Sequence, residues 1–211
     1  MDNDLVLYTH PMSRGRIARW MMEELGQPYR AEIVGFGDEM KSERYRRINP
    51  MGKVPVLVHN GMIVTEAAAI CAYLADAFPQ AGLAPESGGA ARAPYYRWLF
   101  FTAGPLEAAV ANAALGVEVP ADKQAMVGYG KFADVLDTLE QAVSAGPYLA
   151  DGRFSAADLY VGSHLMWGMG FGTIEKRPAF IDYTERLGER PAHARASEID
   201  DELIQRMKSA G

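Results

Sequence analysis

The chain has 211 residues, 49% hydrophobic and 23% charged, with 27 acids against 21 bases for a formal charge of −6. That balance belongs to a folded globular protein and excludes disorder and a fibrous repeat; at about 150 residues per domain it allows one large domain or two small ones. No apolar run reaches the roughly 18–20 residues that cross a bilayer, and Met1-Asp2-Asn3-Asp4 lacks the basic start of a signal peptide, so a cytoplasmic protein with no membrane partner is expected.

Leu5-Val6-Leu7-Tyr8 is a short β-prone run, followed by the turn residues Thr9-His10-Pro11 and by Ile17, Trp20, Met21 and Leu25 on one helical face. Gly26 and Pro28 stop that helix. Tyr29 to Val34 reads as a second strand and Asp38 to Arg47 as a short irregular helix. Val54-Pro55-Val56-Leu57-Val58 and Met62-Ile63-Val64, separated by His59-Asn60-Gly61, read as a hairpin. Thr65 opens a helix with Ile70, Cys71, Leu74 and Phe78 on its apolar side, ended by Pro79. Cys71 is the chain's single cysteine. It can form neither an internal disulfide nor a Cys-rich zinc site, which fits a reducing compartment and implies that any thiol chemistry uses a thiol from another molecule.

The Gly- and Pro-rich stretch 81–89 has no periodicity and reads as a linker. Residues up to 85 carry 10 acids and 9 bases, whereas the remainder carries 17 and 12, so the two parts differ in character. Neither has the basic stripe of a nucleic-acid binder. Ala90 to about Leu115 and Ala121 to Ala145 are helical in pattern. Ser155-Ala156-Ala157-Asp158 is a capping box, with Phe154 and Leu159 placed as a hydrophobic staple. The helix it opens is expected to end in glycines 168, 170 and 172, and Pro178 and Pro191 punctuate two or more further short helices. The expected domains are 1–80 (β-α-β-α-β-β-α), a linker 81–89, and an all-helical domain 90–211. The four histidines show no metal-ligand spacing, and no metal site is expected.

Three motifs carry a family resemblance that covers essentially the whole chain. Asn49-Pro50-Met51-Gly52-Lys53-Val54-Pro55-Val56-Leu57, Thr65-Glu66-Ala67-Ala68-Ala69-Ile70, and Gly152 through Asp158 are similar, in order and spacing, to motifs of the cytosolic glutathione S-transferases. The resemblance implies a thioredoxin-like domain followed by an all-α domain, assembly as a homodimer, and glutathione as co-substrate. A Val-Pro bond can be cis, since the tertiary amide loses only about 0.5–1 kcal/mol relative to trans. Held cis, it would turn the Val54 N–H and C=O outward to pair with the cysteinyl residue of the tripeptide. Lys53 suits the glycyl carboxylate. The γ-glutamyl end is a zwitterion: the Glu66 carboxylate suits its ammonium, and the N–H groups of Glu66 and Ala67 suit its carboxylate. Ala67 stands where the family commonly has serine. One neutral hydrogen bond is worth about 0.5–1.5 kcal/mol, so its loss weakens affinity several-fold without abolishing the site.

At a pKa near 8.5 a thiol is only about 3% ionised at pH 7, so a donor that stabilises the thiolate is needed. Ser13, in Pro11-Met12-Ser13-Arg14-Gly15, aligns with the catalytic hydroxyl of serine-type members; Tyr8 falls on the tyrosine of other members, and Arg14 where some bacterial ones have cysteine. Ser13 is the leading candidate and Tyr8 the alternative; the plain readings are a helix-start serine for the first and a core-facing aromatic for the second. Met12, Tyr96 and Phe100 are candidates to line a pocket for a small hydrophobic electrophile, within an aromatic cluster that also includes Tyr95, Trp98 and Phe101. The implied activity is glutathione transfer. Glutathione-dependent isomerase, dehalogenase or peroxidase chemistry and a non-catalytic binding or scaffold role are the alternatives.

Overall fold

The computed structural model describes residues 4–210. Contacts divide it into two compact units, one holding the described residues up to Ala81 together with those from Glu189 on, the other Gly82–Gly188.

The first unit runs β1 (Leu5–Thr9), α1 (Gly15–Leu25), β2 (Arg30–Ile33), α2 (Asp38–Lys41), α3 (Glu43–Arg46), β3 (Val56–His59), β4 (Met62–Thr65) and α4 (Ala67–Ala77). The sheet order is β2-β1-β3-β4, with β1 and β2 parallel and β3 and β4 antiparallel to their neighbours, the expected thioredoxin-like arrangement. β1 is central, and its Leu5, Val6 and Leu7 are all buried, as a strand covered on both faces requires. β4 is an edge and leaves Met62 and Ile63 exposed. The β3–β4 turn is tight because Asn60 and Gly61 both take positive φ, 50° and 81°, which matches the right-handed twist of the strands. The irregular helix expected at 38–47 is two four-residue helices. Ser42 is extended there, and its Oγ accepts the Tyr45 N–H.

One rearrangement separates the structure from the expected helical domain 90–211. α10 (Pro191–Ala210) is a 20-residue helix, not a short one, and it packs on α1 of the first unit. Arg19 binds Asp200, Arg16 binds Asp201, and Arg190 grips Glu24 at 2.6 and 2.8 Å. These partners lie more than 160 residues apart in sequence, beyond the reach of any local pattern.

The second unit holds α5 (Arg92–Phe101), α6 (Glu107–Ala114), α7 (Phe132–Ser144), α8 (Ala156–Phe171) and α9 (Pro178–Gly188). Its first residues, expected to be linker, pack within it: Leu83 and Pro85 are buried, the Leu83 carbonyl accepts the Ala156 N–H, and the Pro85 carbonyl accepts Arg92 Nε. The helix expected over 90–115 is interrupted by a wider π-helical turn at Thr102–Leu106 that contains Pro105, a residue lacking the N–H of a regular helical turn. The 121–145 stretch begins with a 3₁₀ segment at Ala121–Met126, and α7 starts only at Phe132, after Gly128 and Gly130.

α8 opens at the predicted capping box and ends on Gly172 in the left-handed region, running through Gly168 and Gly170 rather than stopping there. A Cβ on Gly168 would lie 2.4 Å from Ile174 Cδ1 and 2.9 Å from its Cβ, so the whole Ile174 side chain would have to move. Gly168→Ala is expected to destabilise the protein by about 1–3 kcal/mol, read as a lower urea midpoint, despite the better helix propensity of alanine.

Candidate functional site

The sheet register brings four segments to one end of the first unit. Tyr8 pairs with Val56, Val56 with Thr65, and Thr9 with Ile33. The chain therefore leaves or enters the sheet at this end at residues 10–14, 34–36, 53–55 and 66–67.

In the first segment Ser13 is half-buried and terminates a turn. Its Oγ donates to the His10 carbonyl at 2.7 Å and accepts the Gly15 N–H at 2.9 Å, at the start of α1. Gly15 is required there: a Cβ would lie 2.0 Å from Thr9 Oγ1 and 3.0 Å from Ser13 Oγ. His10 is buried, and its Nδ1 accepts the Met12 N–H at 3.2 Å, which places the proton of the neutral ring on Nε2. Burial holds its pKa below the usual imidazole value. The exposed Phe36 ring stands against the imidazole at 3.9 Å between centroids. Met12 is exposed beside this turn.

Tyr8 instead packs into the cluster of Val34, Met40, Tyr45 and Val56, with its ring centroid 6.1 Å from that of Tyr45. Burial pushes the Tyr45 phenol upward, with the neighbouring Tyr8 adding to the shift.

The third segment is held from below. The Lys53 carbonyl accepts both Asn49 Nδ2 at 2.8 Å and the Tyr45 hydroxyl at 2.9 Å, while Asn49 Oδ1 takes the Met51 N–H. Lys41 Nζ ties down the Gly52 carbonyl at 2.6 Å. Gly52 has φ 58°, and a Cβ there would approach the Met40 carbonyl to 2.8 Å. The Val54–Pro55 bond is cis. Among the described residues neither peptide group of Val54 pairs with another backbone group, Pro55 is buried, and the Lys53 side chain is exposed.

In the fourth segment Glu66 is exposed and holds φ 67°, a left-handed conformation that a non-glycine residue adopts only when its surroundings impose it. Ala67 follows as the first residue of α4, buried, with no hydroxyl to add to the helix-start N–H groups.

The remaining candidates lie in the second unit. On α5 the aromatic cluster divides: Tyr95 and Trp98 are core, whereas Tyr96 is partly open and Phe100 is 70% exposed. Arg92 Nη1 donates to the Tyr96 hydroxyl at 3.1 Å. His164, one of the four histidines without metal-ligand spacing, has Nε2 2.8 Å from Glu107 Oε2. Among the described residues no group of histidines, cysteines and acids could hold a metal, and no helix is long and apolar enough to cross a membrane. Cys71 is fully buried and its thiol is pushed up to about 12 by burial, so it packs rather than reacts.

Sequence reasoning missed His10, Phe36, Tyr45, Asn49 and Lys41. Only Asn49 carried a signal, as the first residue of the Asn-Pro-x-Gly motif.

Residues 12–77 match the family described as glutathione S-transferase, N-terminal domain. Glutathione S-transferase GST-4.5 of Xanthomonas campestris is 35% identical over 99 residues, 45% of this chain and 46% of that one. The chain spans under half the length of the first curated relatives it matches, 17%, 46% and 42% in turn. Solved structures align almost throughout. A glutathione transferase from Methylococcus capsulatus superposes with a TM-score of 0.76 at 29% identity, covering 93% of this chain and 98% of that one. A sphingomonad glutathione S-transferase complexed with glutathione does so at 0.74 and 26%, with 93% and 98% covered.

Proposed function

Because the chain belongs to the cytosolic glutathione S-transferase family, we propose that its first unit binds glutathione and activates the thiol for transfer to a small hydrophobic electrophile. The observation that carries this reading is the convergence, at one end of the sheet, of a helix-start hydroxyl, a Val54 backbone that pairs with no other backbone group among the described residues, and a second helix start beside a carboxylate. Glutathione needs each of these. Val54 pairs with its cysteinyl backbone, Lys53 meets the glycyl carboxylate, and Glu66 with the Ala67 N–H takes the two charges of the γ-glutamyl end. Pro55 fixes the Val54 backbone.

Ser13 then turns its hydroxyl proton from the His10 carbonyl to the sulfur. The thiol proton leaves to solvent, the thiolate attacks the electrophilic carbon, the C–S bond forms, and the leaving group departs with its electron pair. Rate comes from the larger thiolate fraction and from holding both reactants together. Met12, exposed beside Ser13, is the first unit's candidate to meet the electrophile. A cytoplasmic homodimer is part of the same proposal.

Ser13→Ala should lower turnover of a chloro-dinitrobenzene substrate at least about tenfold, roughly 1.4 kcal/mol. Unchanged turnover in that variant, with loss in Tyr8→Phe, would transfer the role to Tyr8. Ala67 favours a second reading, a non-catalytic glutathione-binding or scaffold member of the family. Retention on immobilised glutathione without conjugation would support it, and absence of glutathione binding at millimolar concentration would leave only the scaffold role.

A further inference from the structure

We infer that His10 is a positioning residue for Ser13, acting through the turn that joins them; this rests on Ser13 as the activating hydroxyl. The residue closes the turn 10–13 from both its main chain and its side chain. Its carbonyl accepts the Ser13 N–H at 3.1 Å and the Ser13 hydroxyl at 2.7 Å, while its Nδ1 accepts the Met12 N–H at 3.2 Å. The imidazole is 4% exposed and lies against Phe36, in a segment anchored by the Val34 N–H on the Thr9 carbonyl at 2.9 Å. On the other side of Ser13 the Gly15 N–H holds Oγ, and the space a Gly15 side chain would fill is taken by Thr9 Oγ1.

The hydroxyl is thus set within a narrow range between His10 on one side and the Gly15 N–H on the other, and His10 never touches sulfur. Nδ1 can accept the Met12 N–H only while it carries no proton, and burial favours the neutral ring. Without that acceptor the Met12 N–H loses its partner, the turn loosens, and Oγ leaves the place from which it meets the thiolate. The segments that grip glutathione, 53–55 and 66–67, have their own anchors at Asn49, Tyr45 and α4. A misplacement of about 1 Å is enough to lower a rate many-fold while leaving binding intact.

The test compares His10→Asn, His10→Gln and His10→Ala with the parent in steady-state conjugation of chloro-dinitrobenzene. An asparagine amide oxygen reaches the place of Nδ1, a glutamine oxygen overshoots it, and both variants lose the ring. Expected are a kcat within about threefold of the parent for Asn, a loss of about tenfold for Gln and Ala, and a glutathione KM within about twofold throughout. Equal kcat in the Asn and Gln variants, or a KM that rises as kcat falls, overturns the inference. The Asn–Gln pair decides even if the Ala variant does not fold. Ser13→Ala is measured alongside, and adding His10→Gln to it should cost nothing further. Unchanged kcat in Ser13→Ala removes the reading on which the inference rests, whereas loss there with equal Asn and Gln variants removes His10 alone.

Discussion

Asp158→Ala is expected to destabilise the protein by about 3–5 kcal/mol, enough to lower its Tm by roughly 10 °C. The carboxylate is fully buried and accepts four hydrogen bonds: Oδ1 takes the Leu149 N–H and the Tyr183 hydroxyl, both at 2.8 Å, and Oδ2 takes the Ser155 N–H at 2.9 Å and its hydroxyl at 2.8 Å. Burial pushes the carboxyl up, and the four donors pull it back towards ionisation. Truncation leaves two backbone N–H groups that cannot turn away, at about 1–3 kcal/mol for each unsatisfied donor. Asp158→Asn should recover only part of the loss. Each carboxylate oxygen faces one backbone N–H, so either orientation of the amide sets its NH₂ against a donor. Thermal unfolding followed by circular dichroism checks both variants; a Tm within about 2 °C of the parent for Asp158→Ala would sink the account.

That network was half legible in the sequence. Ser155 and Asp158 are three apart, and a capping box is a local pattern that reports a helix start. Leu149 and Tyr183 as the other two partners were not, because the contacts span 9 and 25 residues and depend on how α8 meets its neighbours. The same divide runs through the candidate site. The Asn-Pro-x-Gly-x-Val-Pro segment was readable because backbone requirements write themselves into residue type: Gly52 takes a positive φ, and Pro55 follows a cis bond. Glu66 was visible as a helix-start acid, but not as a residue held at φ 67°. His10 looked like one histidine among four, since an acceptor two residues from its donor leaves no periodic trace. The aromatic run from Tyr95 to Phe101 pointed to a pocket or a core, and only packing divides it, with Tyr95 and Trp98 inside and Phe100 outside.

Asp200→Ala should cost about 3–5 kcal/mol, whereas replacing both members of its ion pair, Arg19→Met with Asp200→Leu, should be neutral or stabilising. Arg19 Nε and Asp200 Oδ1 are 2.7 Å apart, and both side chains are at most 2% exposed. Burial works against the Arg19 charge, but Asp200 and Tyr29 outweigh it and hold the guanidinium above its ordinary value. On the other side, burial pushes the Asp200 carboxyl up in spite of Arg19. The pair is incompletely satisfied, because Arg19 Nη2 and Asp200 Oδ2 are buried without a hydrogen-bond partner among the described residues. Desolvation of both ions is therefore offset by one contact and by the Arg19 Nη1 bond to the Tyr29 hydroxyl at 3.2 Å, itself donated onward to Glu23. Removing Asp200 alone strands a guanidinium in the core; removing both charges eliminates the desolvation altogether and leaves two apolar side chains between α1 and α10. Urea unfolding of the single and double variants gives the comparison. A double variant less stable than Asp200→Ala would mean that the pair itself holds the two helices together. Since α1 begins at the Ser13 turn, the single variant should also lose more conjugation activity than the double one.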